Sequence, residues 1–345
     1  MVSPGTALRE GMDNIVLART GGLIVIGDED ELAPLLSGGI RLDIDYSPAV
    51  LYQLAKMDGA ITLSQNATRI IWANVQLTPD PTILSRETGT RDRTAERVSK
   101  QTDALVISIS ERREVISLWA NGARYILQEI PAVLAKANQA LATLDKYRAR
   151  FDQVSMRLTA LEFEGGVTLH DALTVLQRAE MVTRMGVEIE RYIVELGAEG
   201  RLIEAQLEEM LVGVAADRAA LVRDYLVEYS EDSFTSVLEA LPSLPHPDLL
   251  DFGRLAELMG YDRKLNTLDF PVTPRGHRIL GKIPRLPEPV VDNVVLQFGR
   301  FDELLAATPG ELEAVEGVGE VRAKEIREGL RRLQEINLVD RYLQT

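Results

Sequence analysis

Two segments in the first third of the chain hold residue types that could do chemistry: Asp58-Gly59-Ala60 and Gly89-Thr90-Arg91-Asp92-Arg93-Thr94-Ala95-Glu96-Arg97. Asp58 stands between a helical stretch ending in Lys56-Met57 and the apolar run Ala60 to Leu63, so its carboxylate sits at a strand edge open to a divalent metal or a ribose. The plain alternative is a turn, a common use of Asp-Gly. The second segment is a glycine-led loop running into a helix. Its hydroxyls, its arginines and the free amides of the helix N-terminus together form a triphosphate cradle. Its plain alternative is an N-cap by Thr90 or Asp92 beside solvated arginines.

A third segment lies near the C-terminus. Leu312 to Val315 reads as a short helix, Glu316-Gly317-Val318-Gly319 as a tight turn, and Glu320 to Leu333 as a second helix with Val321, Ile326 and Leu330 facing inward. The glycines permit positive φ and close approach of another backbone. The turn aims unpaired amides at a helix N-terminus, where the dipole favours a phosphate, and Arg322 and Lys324 add charge one turn in. Upstream, Lys282 to Val294 echoes Ala314 to Ile326, with Ile283 on Val315, Leu286 on Val318 and Val294 on Ile326. Two hairpins of one kind would pack as a pair. The bland alternative, a Gly-bounded loop between core helices, does not explain the apolar Val318 inside the turn, the Ala323-x-x-Ile326 spacing or the echo. The segment resembles the helix-hairpin-helix modules of DNA repair proteins, which implies a grip on duplex or branched DNA through Gly317, Val318, Gly319, Arg322 and Lys324 without base reading. The first hairpin has Pro284-Arg285-Leu286-Pro287 in place of G-x-G and is expected to support the fold and contribute less to DNA.

The elements that must position these segments follow from periodicity. Residues 1 to about 130 alternate strand-like and helix-like patterns, an α/β domain with a mixed sheet. Strands are expected at Leu23 to Ile26, Ala60 to Leu63, Ile70 to Val75, Leu105 to Ile109 and Val115 to Trp119, the last turning at Asn121-Gly122 into Tyr125 to Leu127. Helices are expected at about 5 to 18, 47 to 56 and 92 to 101. From 131 to about 275 the pattern is all-α: Leu134, Ala137, Leu141, Leu144, Tyr147, Phe151, Val154, Leu158 and Leu161 mark one long helix from Pro131 to about Glu164, ended by Gly165-Gly166. Further helices are expected at 168 to 185, 199 to 211, 215 to 228 and 250 to 259, with Leu241 to Pro247 as a rigid connector. Residues 276 to 345 form the all-α hairpin domain.

Composition bounds the function. A net charge of -15 over 345 residues excludes a chain coated in nucleic acid, so any DNA contact is local. The chain has no cysteine, hence no thiolate metal site and no cysteine nucleophile. A reducing, cytoplasmic setting is the simplest fit, with no signal peptide and no membrane span. His170, His246 and His277 lack metal-ligand spacing and are expected to be structural or solvated. No carboxylate cluster with nuclease-like spacing accompanies Asp58, and no aromatic platform for single strands is evident.

The two N-terminal segments, in this order and spacing, together with Ala73-Asn-Val-Gln-Leu-Thr-Pro-Asp-Pro81, resemble the DGA and RHR motifs of the diadenylate cyclases, specifically those of the DNA integrity scanning type. The likeness covers the whole chain. It implies condensation of two ATP into cyclic di-AMP and two pyrophosphates by cyclase domains meeting face to face, within a homo-octamer whose activity branched DNA suppresses. By the same resemblance Asp58 would bind Mg²⁺ or Mn²⁺ and help activate the 3′-hydroxyl, and Gly59 would allow close approach. Thr90, Arg91, Thr94 and Ser110 would hold phosphates, Leu77 would pack near the adenine, and Arg113 is a further phosphate candidate. Asp58, Gly59 and Arg91 would be the catalytic set.

One position departs from the family: Asp92 stands where the motif has histidine. An aspartate can bind a metal but repels the phosphates beside it. The departure predicts weaker ATP binding, slower turnover or a changed metal preference. At its extreme it predicts a DNA-structure-binding scaffold that binds ATP but turns it over weakly or not at all.

Overall fold

A computed structural model describes residues 1–263 and 267–343. In chain order the elements are α1 (Ala7–Leu17), β1 (Gly22–Ile26), α2 (Glu29–Leu32), β2 (Leu36–Ser37), β3 (Ile40–Asp45), α3 (Pro48–Leu54), β4 (Ala60–Leu63), β5 (Arg69–Leu77), α4 (Thr90–Gln101), β6 (Leu105–Ser110), β7 (Val115–Ala120) and β8 (Ala123–Ile126). Helices follow: α5 (Ile130–Glu164), α6 (Leu169–Leu196), α7 (Arg201–Leu211), α8 (Val214–Tyr225), α9 (Glu231–Ser243), α10 (His246–Leu250), α11 (Phe252–Leu258), α12 (His277–Leu280), α13 (Glu288–Phe298), α14 (Phe301–Ala306), α15 (Pro309–Glu313) and α16 (Glu320–Leu343). The chain forms two compact units, one of residues 1–137 and 191–202, the other of 138–190 and 203–345.

The first unit is a mixed sheet ordered β2-β5-β4-β1-β6-β7-β8, with β3 also on β5. β1 and β4 are its parallel pair; every other pairing is antiparallel. Both central strands are buried along their length, the consequence of helices on both faces. Strand alternation sorts the core in two: Ile24 and Ile26 join Leu8, Met12 and Ile15 of α1 on one face, while Leu23 and Val25 join Ala95 and Val98 of α4 and Trp119 on the other. Asn121 (φ 50°) and Gly122 (φ 74°) make the expected two-residue hairpin, with Ala120 opposite Ala123. β2 and β3 were not expected from the sequence. β3 alternates Ile40, Leu42 and Ile44 with Arg41, Asp43 and Asp45, but only Leu42 is partly buried against the core, and an irregularity between Arg41 and Ile44 breaks its register with β5.

The second unit is helical throughout. α5 carries polar residues on its inner face, where Ser155, Thr159 and Glu162 are buried and hold the fully buried Arg278. Glu162 also accepts from Tyr225 Oη (2.7 Å). Burial would lower the Arg278 pKa, but the Glu162 carboxylate against it holds it above its ordinary value. Asp224 accepts from the backbone N–H groups of Gly276, His277 and Arg278, closing the start of α12.

Several expectations are corrected here. α6 runs to Leu196 and not to 185, because its apolar face continues through Ile189. α9 was not expected at all; a capping box of Ser230 and Ser233 starts it. It absorbs Leu241, Pro242 and Ser243, leaving only Leu244-Pro245 of the proposed connector outside helices, since Pro242 lies near the helix end. Val321 does not face inward: it is 72% exposed, and Ala323 takes its place in the core beside Ile326 and Leu330. Among the described residues no helix is long and apolar enough to cross a membrane.

Candidate functional site

Strand register gathers the N-terminal candidates. Ala60 pairs with Val75, so Asp58 and Gly59 lie beside Leu77 at the end of β5. β1 runs parallel to β4, Gly22 pairs with Ile109, and Ser110 pairs with Val115. Asp58, Gly59, Leu77, Gly21, Ser110 and Arg113 therefore share one end of the sheet, across β5, β4, β1, β6 and β7.

Gly59 is at φ 93°, and a Cβ there would lie 2.8 Å from Val75 O. That approach depends on a bulge: Ala60 pairs with Val75 but Thr62 with Trp72, so β5 carries one extra residue, and Asn74 takes φ 54° beside it. Asn74 is thus part of the site's construction, and nothing in its side chain announced it. Asp58 itself is exposed.

Helix α4 brings the second motif to the same end. Its N-cap is Gly89, and no side chain caps it, so neither Thr90 nor Asp92 plays the capping role considered above. The first amides of α4 stay open to an anion. Arg91 Nη1 donates to Ile109 O (2.9 Å), which ties the guanidinium to the end of β6. It lies over Gly21, where a Cβ would sit 2.0 Å from Nη1. Gly21 lies outside both motif segments and was not among the candidates, yet its lack of a side chain makes room for Arg91. Thr94 is half-buried one turn further along, and the Ser110 hydroxyl oxygen accepts from the Arg113 amide (3.3 Å).

Asp92 turns toward the sheet. Ser108 Oγ donates to Asp92 Oδ1 (2.8 Å), and the buried Trp119 Nε1 donates to Ser108 Oγ (3.1 Å). One carboxylate oxygen is thereby satisfied by the protein.

The loop from β5 to α4 is fastened to α4 by residues that sequence reasoning missed. Glu96, nearly buried, accepts from Ser85 Oγ (2.5 Å), the Arg86 amide (3.1 Å) and Lys100 Nζ (2.5 Å). Arg97 donates to the carbonyls of Ile83 and Pro81, and Gln101 accepts from the Asp80 amide. Burial raises the Glu96 pKa, but the bonds from Lys100, Ser85 and Arg86 outweigh it and hold the carboxyl below its ordinary range. A cavity of about 220 Å³ lies at the other end of the sheet, among Asp28, Leu32, Leu63 and Trp72, and none of the candidates lines it.

Residues 9–124 match the model of the DisA bacterial checkpoint controller nucleotide-binding family, and residues 127–268 that of the DisA bacterial checkpoint controller linker region. The chain belongs to the DisA family. It is 52% identical to the DNA integrity scanning protein DisA of Carboxydothermus hydrogenoformans over 97% of this chain and 95% of that one. The corresponding figures for DisA of Bacillus subtilis are 49%, 99% and 94%. Among solved structures, a double mutant of DacA from Staphylococcus aureus matches at 25% identity over 36% of this chain and 85% of that one, with a TM-score of 0.31. An open helix N-terminus at a sheet end is a favourable place for a phosphate.

In the C-terminal glycine turn the positive φ that the glycines permit is taken by Gly317 and not by Gly319. Gly317 is at φ 81°, Val318 is buried, and nothing lies within 4 Å of where a Gly319 Cβ would be. Arg322 Nη1 folds back onto Gly317 O (2.6 Å), and Lys324 is exposed with Glu328 3.8 Å away. His277 is buried with Nδ1 3.1 Å from Asp224 Oδ1, and His170 packs on Phe252 with ring centroids 4.8 Å apart. Among the described residues no group of three or more His, Cys, Asp or Glu is placed to hold a metal ion.

Proposed function

We propose that this chain is a diadenylate cyclase that condenses two ATP into cyclic di-AMP and two pyrophosphates and binds DNA through its C-terminal hairpins. The observation that carries the reading is the convergence of both N-terminal motifs on one sheet end, the first by strand register and the second through the Arg91 bond to Ile109 O. Within it, residues 1–130 are the cyclase, 131–275 a helical spine and 276–345 the DNA-binding module, and the working assembly is a homo-octamer.

The chain supplies position and charge, which is most of what phosphoryl transfer needs. The open amides of α4, Thr90, Arg91, Thr94 and Ser110 hold the phosphates, with Arg113 in reach of them. Gly59 lets the nucleotide approach the bulged strand, and Leu77 packs near its adenine. Each 3′-hydroxyl oxygen attacks the α-phosphorus of the nucleotide on the facing domain. Two P–O bonds form, two break, and each pyrophosphate leaves as its hydroxyl proton is lost. Asp58 would hold Mg²⁺ or Mn²⁺. When bound, the ion would neutralise phosphate charge.

A second reading, a scaffold that binds ATP but turns it over weakly, is favoured by Asp92 alone. The hydrogen bond from Ser108 engages Oδ1 alone, while Oδ2 lies 4.0 Å from where a Gly89 Cβ would be at the open start of α4, so the choice between the readings rests on activity. Incubation with ATP and Mg²⁺ or Mn²⁺, followed by nucleotide separation, decides between them. Cyclic di-AMP at a rate within a few-fold of Asp92→His supports the cyclase; product from Asp92→His alone supports the scaffold. For DNA, Gly319→Trp is expected to weaken binding to all duplex sequences alike, and loss confined to one sequence contradicts backbone contact.

A further inference from the structure

The two C-terminal hairpins share one backbone. Arg285 stands at φ 63° where its counterpart Gly317 stands at 81°. Leu286 N donates to Ile283 O as Val318 N donates to Val315 O, and α13 and α16 open at the equivalent residues Glu288 and Glu320. The core repeats as well: Leu280 and Leu312, Ile283 and Val315, Val291 and Ala323, Val294 and Ile326 are all buried. Each repeat also supports the turn of the other. Asn293 Nδ2 of α13 donates to Glu316 O (3.0 Å), while Gly329 of α16 lies so close to Ile283 that a Cβ would meet it at 2.9 Å. The two turns are thus held against one shared core, a placement that lets each meet a phosphate of the same duplex.

Their chemistry differs. Pro284, Pro287 and Pro289 remove three N–H groups that Glu316, Gly319 and Val321 keep in the second hairpin. The first hairpin is therefore a poor amide cradle. In exchange it carries Arg285, exposed and without a hydrogen bond or ion pair among the described residues, at a left-handed position that glycine would occupy without strain. Its immediate acidic neighbour Glu288 is already paired with Arg223 at 2.7 Å. In the second hairpin, by contrast, the Arg322 guanidinium is folded back on its own turn.

We propose that the first hairpin is a second DNA-backbone clamp that works by side-chain charge, with the Arg285 guanidinium on another phosphate of the duplex held by the Gly317–Gly319 amides. This rests on the DNA-binding reading above and replaces the expectation that the first hairpin contributes little.

The test is equilibrium binding of the full chain to a labelled duplex across a salt series, with thermal unfolding alongside. Arg285→Gln is expected to weaken binding several-fold at low salt and to reduce the slope of log K against log salt by about one. Arg285→Lys should recover most of the loss. Arg285→Gly should weaken binding as Gln does while holding or raising Tm, which separates a DNA role from a folding one. If all three bind with the parental affinity and slope while Gly319→Trp weakens binding, the first hairpin is no clamp and the second still is. If Gly319→Trp has no effect either, or the parent binds no duplex, the DNA reading itself falls.

Discussion

Glu96 offers a test of how the site is held, because its carboxylate fastens the loop between β5 and α4. Glu96→Gln keeps the shape and removes the charge. Hydrogen bonds to a charged group contribute about 1.5–3 kcal/mol each. The bonds from Ser85 Oγ and the Arg86 amide are shielded, whereas the Lys100 side chain is 33% exposed, so its share is discounted for solvent screening. With the amide oxygen still able to accept one bond, the expected loss is about 2 kcal/mol. That lowers the folded-to-unfolded ratio about thirty-fold and Tm by about 4–8 °C. The sign with pH follows from the lowered folded pKa. The stabilisation is fully present above the unfolded glutamate value of about 4.3 and is lost as pH falls through the folded value. Thermal unfolding of parent and variant between pH 3 and pH 8, with KM for ATP at neutral pH, measures it. The expected pattern is a Tm gap that closes at the acid end and a raised KM. A gap below about 1 °C at pH 7, or one that widens on acidification, would show that Glu96 does not fasten the loop.

The remaining expectations concern the glycines and one buried cation. Gly21→Ala places a methyl group 2.0 Å from Arg91 Nη1 and should push the guanidinium off Ile109 O, so cyclic di-AMP formation falls about ten-fold or more with Tm nearly unchanged; an unaltered rate would remove Arg91 from the mechanism. Gly59→Ala meets Val75 O at 2.8 Å at a φ of 93°, so it should lose stability by about 1–3 kcal/mol together with activity, and unchanged unfolding would contradict the bulge geometry. Lys282 is pulled down to about 8 by burial first and then by the charge of Arg278. Between that value and the unfolded lysine pKa of about 10.4 the unfolded chain binds more protons, so parental stability rises with pH across this window. Lys282→Met should therefore stabilise the protein by about 2 kcal/mol at pH 7, after discounting for partial exposure, with the gain fading toward pH 10. Denaturant midpoints at both pH values check it, and a constant difference would refute the burial argument.

Much of the architecture was legible in the residues. Runs such as Gly22–Ile26, the three-and-four spacing along α5 and Asn121-Gly122 encode local structure, because strand, helix and hairpin each impose a short-range period or a special φ. The motif segments and the second glycine hairpin were likewise readable in local order, as was the repeat of apolar positions from Ile283 to Val294 in Val315 to Ile326. Tertiary structure decided what depends on partners distant in sequence. Gly21 matters because Arg91 crosses to Ile109 O, Asn74 because the Gly59 approach needs a bulge in β5, and Asp92 because Ser108 and Trp119 turn it inward. Arg285 looked like a broken motif by residue type, yet its backbone takes the left-handed turn of Gly317, since packing between the repeats imposes a conformation that its own side chain disfavours.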